Sequence, residues 1–221
     1  MKRIVKKDIE PAVLTSWKTA HPGKVYKDFQ KYSQKRELHS ELLSEQFYLC
    51  CYCGADIDID HSHIEHIAPQ GQFKKRTLSY PNLLVSCNGE KMIETGEEEL
   101  KYCGHHKDNV YDVKMLTPLE EDCEDRLKLL LNGKVCSTNQ EDYGALKAID
   151  ILGLNNYALF KARENIIEIL ITAEISEWSR DKQIKYFEEE IKYLETVDKN
   201  GQLSSFSQEL VSLLKFLIFS S

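Results

Sequence analysis

Seven cysteines in 221 residues constrain this chain more than any other feature, because four of them are spaced as metal ligands. Cys50 and Cys53 form a Cys-x-x-Cys pair, and Cys87 and Cys103 supply two further sulfurs. Two sulfur pairs brought together make a tetrahedral zinc site, which small irregular regions use in place of an apolar core. These four are assigned to a structural Zn2+. Cys51 is the alternative to Cys50, through the less usual Cys-x-Cys spacing, and a redox dithiol or buried free thiols are the competing chemistry. Cys123 and Cys136 stand apart as ordinary thiols. The N-terminal Met1-Lys2-Arg3-Ile4-Val5-Lys6-Lys7-Asp8 lacks the apolar run of a signal peptide. A cytoplasmic protein is therefore expected, with reduced thiols and metal before disulfide. The most apolar stretch, Leu210 to Phe219, is interrupted by Lys215. It falls well short of the roughly 20 residues of a membrane span, so no membrane partner is expected.

The segment His63-Ile64-Glu65-His66-Ile67-Ala68-Pro69 carries the second signal. On a helix, His63 and His66 would form a metal pair, but Pro69 and the flanking isoleucines favour a strand running into a loop. In a strand His63 and Glu65 share one face and Ile64 and His66 the other. Adjacent Glu65 and His66 then suit separate roles. A carboxylate is the fitting ligand for a hard cation such as Mg2+ or Mn2+. A neutral histidine can take a proton from a water attacking a phosphodiester. His63, Glu65 and His66 are the candidate catalytic residues of this segment. Lys74-Lys75-Arg76, close behind His66, and Lys107 are candidate phosphate contacts, or else a solvated loop.

Around this segment the chain reads as three stretches: an N-terminal arm over residues 1–49, a Cys/His/Asp/Asn-rich core over 50–112 and a helical region over 113–221. Residues 1–20 look extended, with turns at Pro11 and Pro22-Gly23. Tyr26 to Tyr48 reads as one or two amphipathic helices. Ile57 with Ile59, and Ile64 with Ile67, suggest two short strands, and Glu90 to Leu100 an acidic surface insertion. From Tyr143 onward apolar stripes on helical spacing run through Leu146–Ile171, Ile184–Leu194 and Leu210–Leu217, all read as core. The class is α+β, mostly helical, with any boundary around 112–142.

The ordered set Cys50-Cys51-Tyr52-Cys53, Glu65-His66-x-x-Pro69, Asn82-Leu83-Leu84-Val85-Ser86-Cys87-Asn88-Gly89 and Cys103-Gly104-His105-His106-Lys107 resembles the HNH (ββα-metal) nucleases that carry a structural zinc. More closely it looks like the PtuB-type HNH subunits of Septu anti-phage systems, some of which are coupled to retrons. The motifs cover about residues 50–109, and the helical C-terminal half agrees more loosely. The resemblance implies a metal-dependent DNA endonuclease with His66 as general base, Glu65 as metal ligand and Asn82 as the residue that pins the loop. His105 is the first choice for the remaining metal ligand, with His106 and Asn88 behind it. It also implies a PtuA-like ATPase of the ABC/SMC class as partner, with a retron reverse transcriptase and its RNA/DNA hybrid in the retron-linked case. Glu65 departs from the commoner aspartate. A non-catalytic zinc-stabilised interaction module and a stand-alone HNH restriction-type nuclease are the alternatives.

Charge limits how such an enzyme meets DNA. The formal net charge is −7. Residues 1–50 carry 10 basic against 6 acidic side chains, whereas residues 111–221 carry 13 against 20. Phosphate contacts dominate nucleic-acid affinity, so the acidic C-terminal half is an unlikely DNA face and reads as partner-facing or solvated.

Overall fold

The stretch Leu83-Leu84-Val85-Ser86-Cys87 is almost continuously apolar, the pattern of a strand covered on both faces. In the computed structural model, which describes residues 1–29, 31–91 and 100–220 (main chain alone at Tyr32, Glu90, Lys91 and Leu100), it forms β2 (Leu83–Cys87), buried throughout. β2 pairs antiparallel with β1 (Ser62–His66), with His63 opposite Ser86 and Glu65 opposite Leu84. Alternation sends Leu83 and Val85 into one core cluster and Leu84 into another.

The first cluster belongs to the N-terminal arm. Helix α2 (Tyr32–Glu45) buries Leu38, Leu42 and Leu43 against Leu83 and Val85. Helix α1 (Ala12–Ala20) adds Val13, Leu14 and Trp17. This corrects the extended reading of residues 1–20. Pro11 there precedes a helix rather than breaking one, and nine residues give too short a stripe for a period to declare itself. The expected strand at Ile57 and Ile59 does not form either. That stretch instead folds back on the segment before it, through the Leu49–Asp56 bridge and the Ile57 N–H bond to the Tyr48 carbonyl (2.8 Å).

The second cluster runs from Met1, Ile4 and the four motif cysteines through to Leu214. It is built from α4 (Tyr143–Ile151), α5 (Tyr157–Leu170), α6 (Ala173–Ser176), α7 (Arg180–Leu194) and α8 (Ser207–Phe219). The stretch 112–142, read as a boundary, contains a hairpin of β5 (Leu127–Leu129) and β6 (Val135–Ser137) whose apolar side chains join this cluster. Buried packing is therefore continuous across it. Between β2 and the short helix α3 (Cys103–Lys107), the two-residue strands β3 (Glu90–Lys91) and β4 (Leu100–Lys101) pair antiparallel. The rest of the acidic insertion, residues 92–99, lies outside the described residues. No helix among the described residues is long and apolar enough to cross a membrane.

Candidate active site and cysteine cluster

The four cysteines converge from three elements. Cys50 and Cys53 sit on a tight turn closed by Gly54 N–H donating to the Cys50 carbonyl (3.1 Å). Gly54 adopts φ +72°, a left-handed conformation that costs a residue bearing a Cβ. Cys87 ends β2, and Cys103 begins α3, where its N–H bonds the Leu152 carbonyl (2.7 Å). All four sulfurs lie within 4.8 Å of one another, with Cys53 and Cys87 at 4.0 Å. Cys87 N–H donates to Cys50 Sγ (3.3 Å).

The electrostatics of the four are equally telling. Against the burial that raises it, hydrogen bonds from the neighbouring thiols, Cys103 first, hold the Cys50 thiol well below its ordinary range. Burial and the Cys50 sulfur push Cys103 well up. Four buried thiols cannot all ionise without a cation, and a zinc ion supplies one. The donor set thus fits Zn2+. Cys51 lies outside the four-sulfur group although it is buried beside Cys50, and burial and the Cys50 sulfur push its thiol up. All seven cysteines are unpaired thiols, and the four clustered ones are at most 7% exposed.

Beside this cluster β1 divides its side chains as strand alternation requires. Glu65, 7% exposed, places Oε1 against Lys107 Nζ (2.7 Å) and Tyr52 O–H (3.1 Å). Its Oε2 faces His63 Nε2 at 3.4 Å. Burial would raise this carboxyl, but His63 and Lys107 overcome it and hold the group below the ordinary carboxylate range. His63 is raised in turn, as its bond to Glu65 outweighs burial. His105 stacks on the His63 ring (4.8 Å between centres), and Asn88 Oδ1 lies 3.5 Å from His63 Nδ1. The start of α3 can approach this closely because residue 104 is glycine. A Cβ there would lie 2.8 Å from both Glu65 Oε2 and His63 Nε2.

His66 occupies the opposite face. Its Nε2 bonds the Thr77 carbonyl (3.0 Å), its Nδ1 lies 3.3 Å from Gln70 Nε2, and its ring meets Tyr26 edge-on at 4.7 Å. A carbonyl only accepts, so Nε2 carries the proton and Nδ1 the lone pair. Burial lowers the His66 pKa, which keeps the ring neutral near pH 7. Asn82 directs all its side-chain bonds to the intervening loop: Oδ1 accepts from Ala68 N–H (2.7 Å), and Nδ2 donates to the carbonyls of Ala68 and Arg76 (both 3.1 Å).

Two expectations need correction. Lys107 is not a surface phosphate contact. It is 1% exposed, and besides Glu65 it donates to the His66 carbonyl (2.9 Å). His106 does not approach Glu65: its Nδ1 bonds the Ile151 carbonyl (2.9 Å) and its ring packs against Gly153. Lys74, Lys75 and Arg76 form an exposed turn on the loop behind His66.

Among the described residues, the four cysteines are the one His/Cys/Asp/Glu group with three or more ligand atoms together. Glu65 Oε2 beside His63, on whose ring His105 stacks, is a sparser site, with one oxygen and one adjacent imidazole. That donor set is compatible with Mg2+, which is bound through one or two carboxylates and takes most of its ligands from water and substrate phosphate.

The chain is similar to two proteins named for retrons. It is 28% identical over 151 residues to the "Retron Vc95 putative HNH endonuclease" of Vibrio cholerae serotype O1 biovar El Tor, covering 65% of this chain and 69% of that one. It is 28% identical over 213 residues to the "Retron Ec83 putative HNH endonuclease" of Escherichia coli, covering 76% and 79%. No family model matches the chain. These relatives support a nuclease function.

Proposed function

We propose that this chain is a metal-dependent HNH endonuclease that hydrolyses phosphodiester bonds in DNA, with β1, β2 and α3 as its ββα-metal core. The observation that carries this reading is the division of labour across β1. An ionised Glu65 stands on one face and a neutral His66, its Nε2 proton committed to Thr77, on the other.

In this reading His66 Nδ1 removes a proton from the attacking water, while Thr77 holds the ring in the required tautomer. Gln70, exposed and bonded to Nδ1, is the side chain that water displaces. Glu65 Oε2, with His63 adjacent and His105 stacked on the His63 ring, would hold the catalytic Mg2+ or Mn2+, which offsets charge developing on the phosphate and its leaving oxygen. Lys107 and Tyr52 fix Glu65 so that a single oxygen points to the metal side. Asn82 pins the loop that carries Gln70 and Lys74–Arg76. Lys74, Lys75 and Arg76 are the candidate phosphate contacts on that loop.

We assign the chain further to an anti-phage defence complex, as the PtuB-type effector subunit of a Septu or retron-associated system in the cytoplasm. A PtuA-like ATPase would present the DNA, and a retron reverse transcriptase with its RNA/DNA hybrid would join in the retron-linked form. The acidic balance of residues 111–221 supports delegation of DNA capture to a partner. Nicking of supercoiled plasmid by the chain, alone and with its ATPase, tests the reading. Activity is expected with Mg2+ or Mn2+, and plasmid left intact under every condition overturns it.

A further inference from the structure

A cleft of about 380 Å³ opens between α2 and the unpaired edge of β1. Lys35, Arg36 and His39 line it from the helix, Ser62 and His63 from the strand, and Tyr26 between them. Asp60 also lines the cleft and pairs with Arg36 (2.8 Å), and burial lowers the His39 pKa to about 4, so that ring is neutral. Lys35 differs. No carboxylate among the described residues forms an ion pair with it, and its ammonium lies 4.9 Å from the centre of the Tyr26 ring. That ring in turn meets His66 at 4.7 Å, so the Lys35 ammonium is at most about 10 Å from the His66 ring centre.

Two further bonds fix this relation. Tyr26 N–H donates to Thr77 Oγ1 (3.2 Å), and the Thr77 carbonyl is the group that holds His66 Nε2. The turn that carries the cleft wall is thus docked on the support of the candidate base. A cation over an aromatic face, beside an open cleft and without a carboxylate partner, is a receptor for an anion.

We propose that this cleft seats a phosphate of the bound DNA strand, gripped by Lys35, with Tyr26 setting its distance from His66. At a rise of about 3.4 Å per nucleotide, the seated phosphate lies within about three nucleotides of the bond attacked. The inference rests on the nuclease reading and adds a specific DNA contact from the basic N-terminal fifty residues. It also gives the α1–α2 arm a function beyond covering β2.

The test uses the full chain carrying His66→Ala, so that DNA survives the measurement, and a fluorescein-labelled DNA duplex followed by anisotropy across a salt series. Lys35→Ala is expected to weaken binding at low salt. It should also make the slope of log K against log salt shallower by about one unit, the signature of one lost phosphate contact. Lys35→Arg should retain the slope, and Lys185→Ala, an exposed lysine on α7, should leave binding unchanged. An unchanged slope in Lys35→Ala, an equal loss in Lys185→Ala, or no binding by the His66→Ala chain overturns the proposal. Failure of the nuclease reading appears elsewhere, as wild-type protein that leaves plasmid intact while the Lys35-dependent slope persists.

Discussion

At the scale of single residues, Lys107 carries the sharpest consequence. Lys107 is 1% exposed, and Glu65 and the His66 carbonyl surround its ammonium. Truncating one member of such a buried pair strands the other, at a cost of about 3–5 kcal/mol. Lys107→Ala should lower stability by that amount in urea titrations. Lys107→Met combined with Glu65→Gln should recover most of it, because no charge is then left unpaired. A Lys107→Ala protein with an unchanged midpoint would contradict the account. The position was partly legible. Lys107 falls four residues after Cys103 on α3, hence on the same helix face as that buried cysteine. The candidate pair Glu65 and His66 was legible through strand alternation together with the ordered asparagine and cysteine motifs that follow it. Thr77, Gln70 and Tyr26 were not, since each reaches His66 through loop geometry that no periodicity encodes.

Among elements, the union of the β5–β6 hairpin with α4 rests on Asp142. Its carboxylate caps α4 by accepting from Ala145 N–H (3.0 Å) and takes two 2.7 Å bonds from Arg126, which stands just before β5. Arg126 above all holds the Asp142 pKa at about 2, below the ordinary 3.8. Folding therefore favours the ionised form. The stabilisation is complete above about pH 5 and drains away as pH falls through 3.8 toward 2. Asp142→Asn should lower the urea midpoint near neutrality and flatten its decline between about pH 4 and pH 2. An equally steep decline in the variant would contradict the assignment. Helices α5, α7 and α8 were legible because they are long, at 14, 15 and 13 residues, and carry apolar stripes on helical spacing. Helix α1 and the β5–β6 hairpin were not, being too short for either period to stand out.

For the whole molecule, one buried cluster joins the four cysteines to α4, α5, α7 and α8, and the Met1 ammonium pairs with Glu209 of α8 at 2.6 Å. The cysteine site is therefore part of the main core rather than a peripheral knuckle. Zinc release, followed with a chromogenic chelator during a urea titration, should coincide with loss of helical circular dichroism, as a single cooperative unit requires. Zinc lost well before the helices would show that the two fold independently.

In the proposed nuclease reading, the chemistry rests on His66, through its neutrality, its tautomer and its separation from Glu65. Its most direct test is the rate of supercoiled-plasmid nicking with Mg2+ or Mn2+, alone and with the proposed ATPase partner, by wild-type and His66→Ala proteins of equal zinc content and circular dichroism. Loss of a general base predicts a fall of about 100-fold or more; nicking by His66→Ala at the wild-type rate would contradict the account.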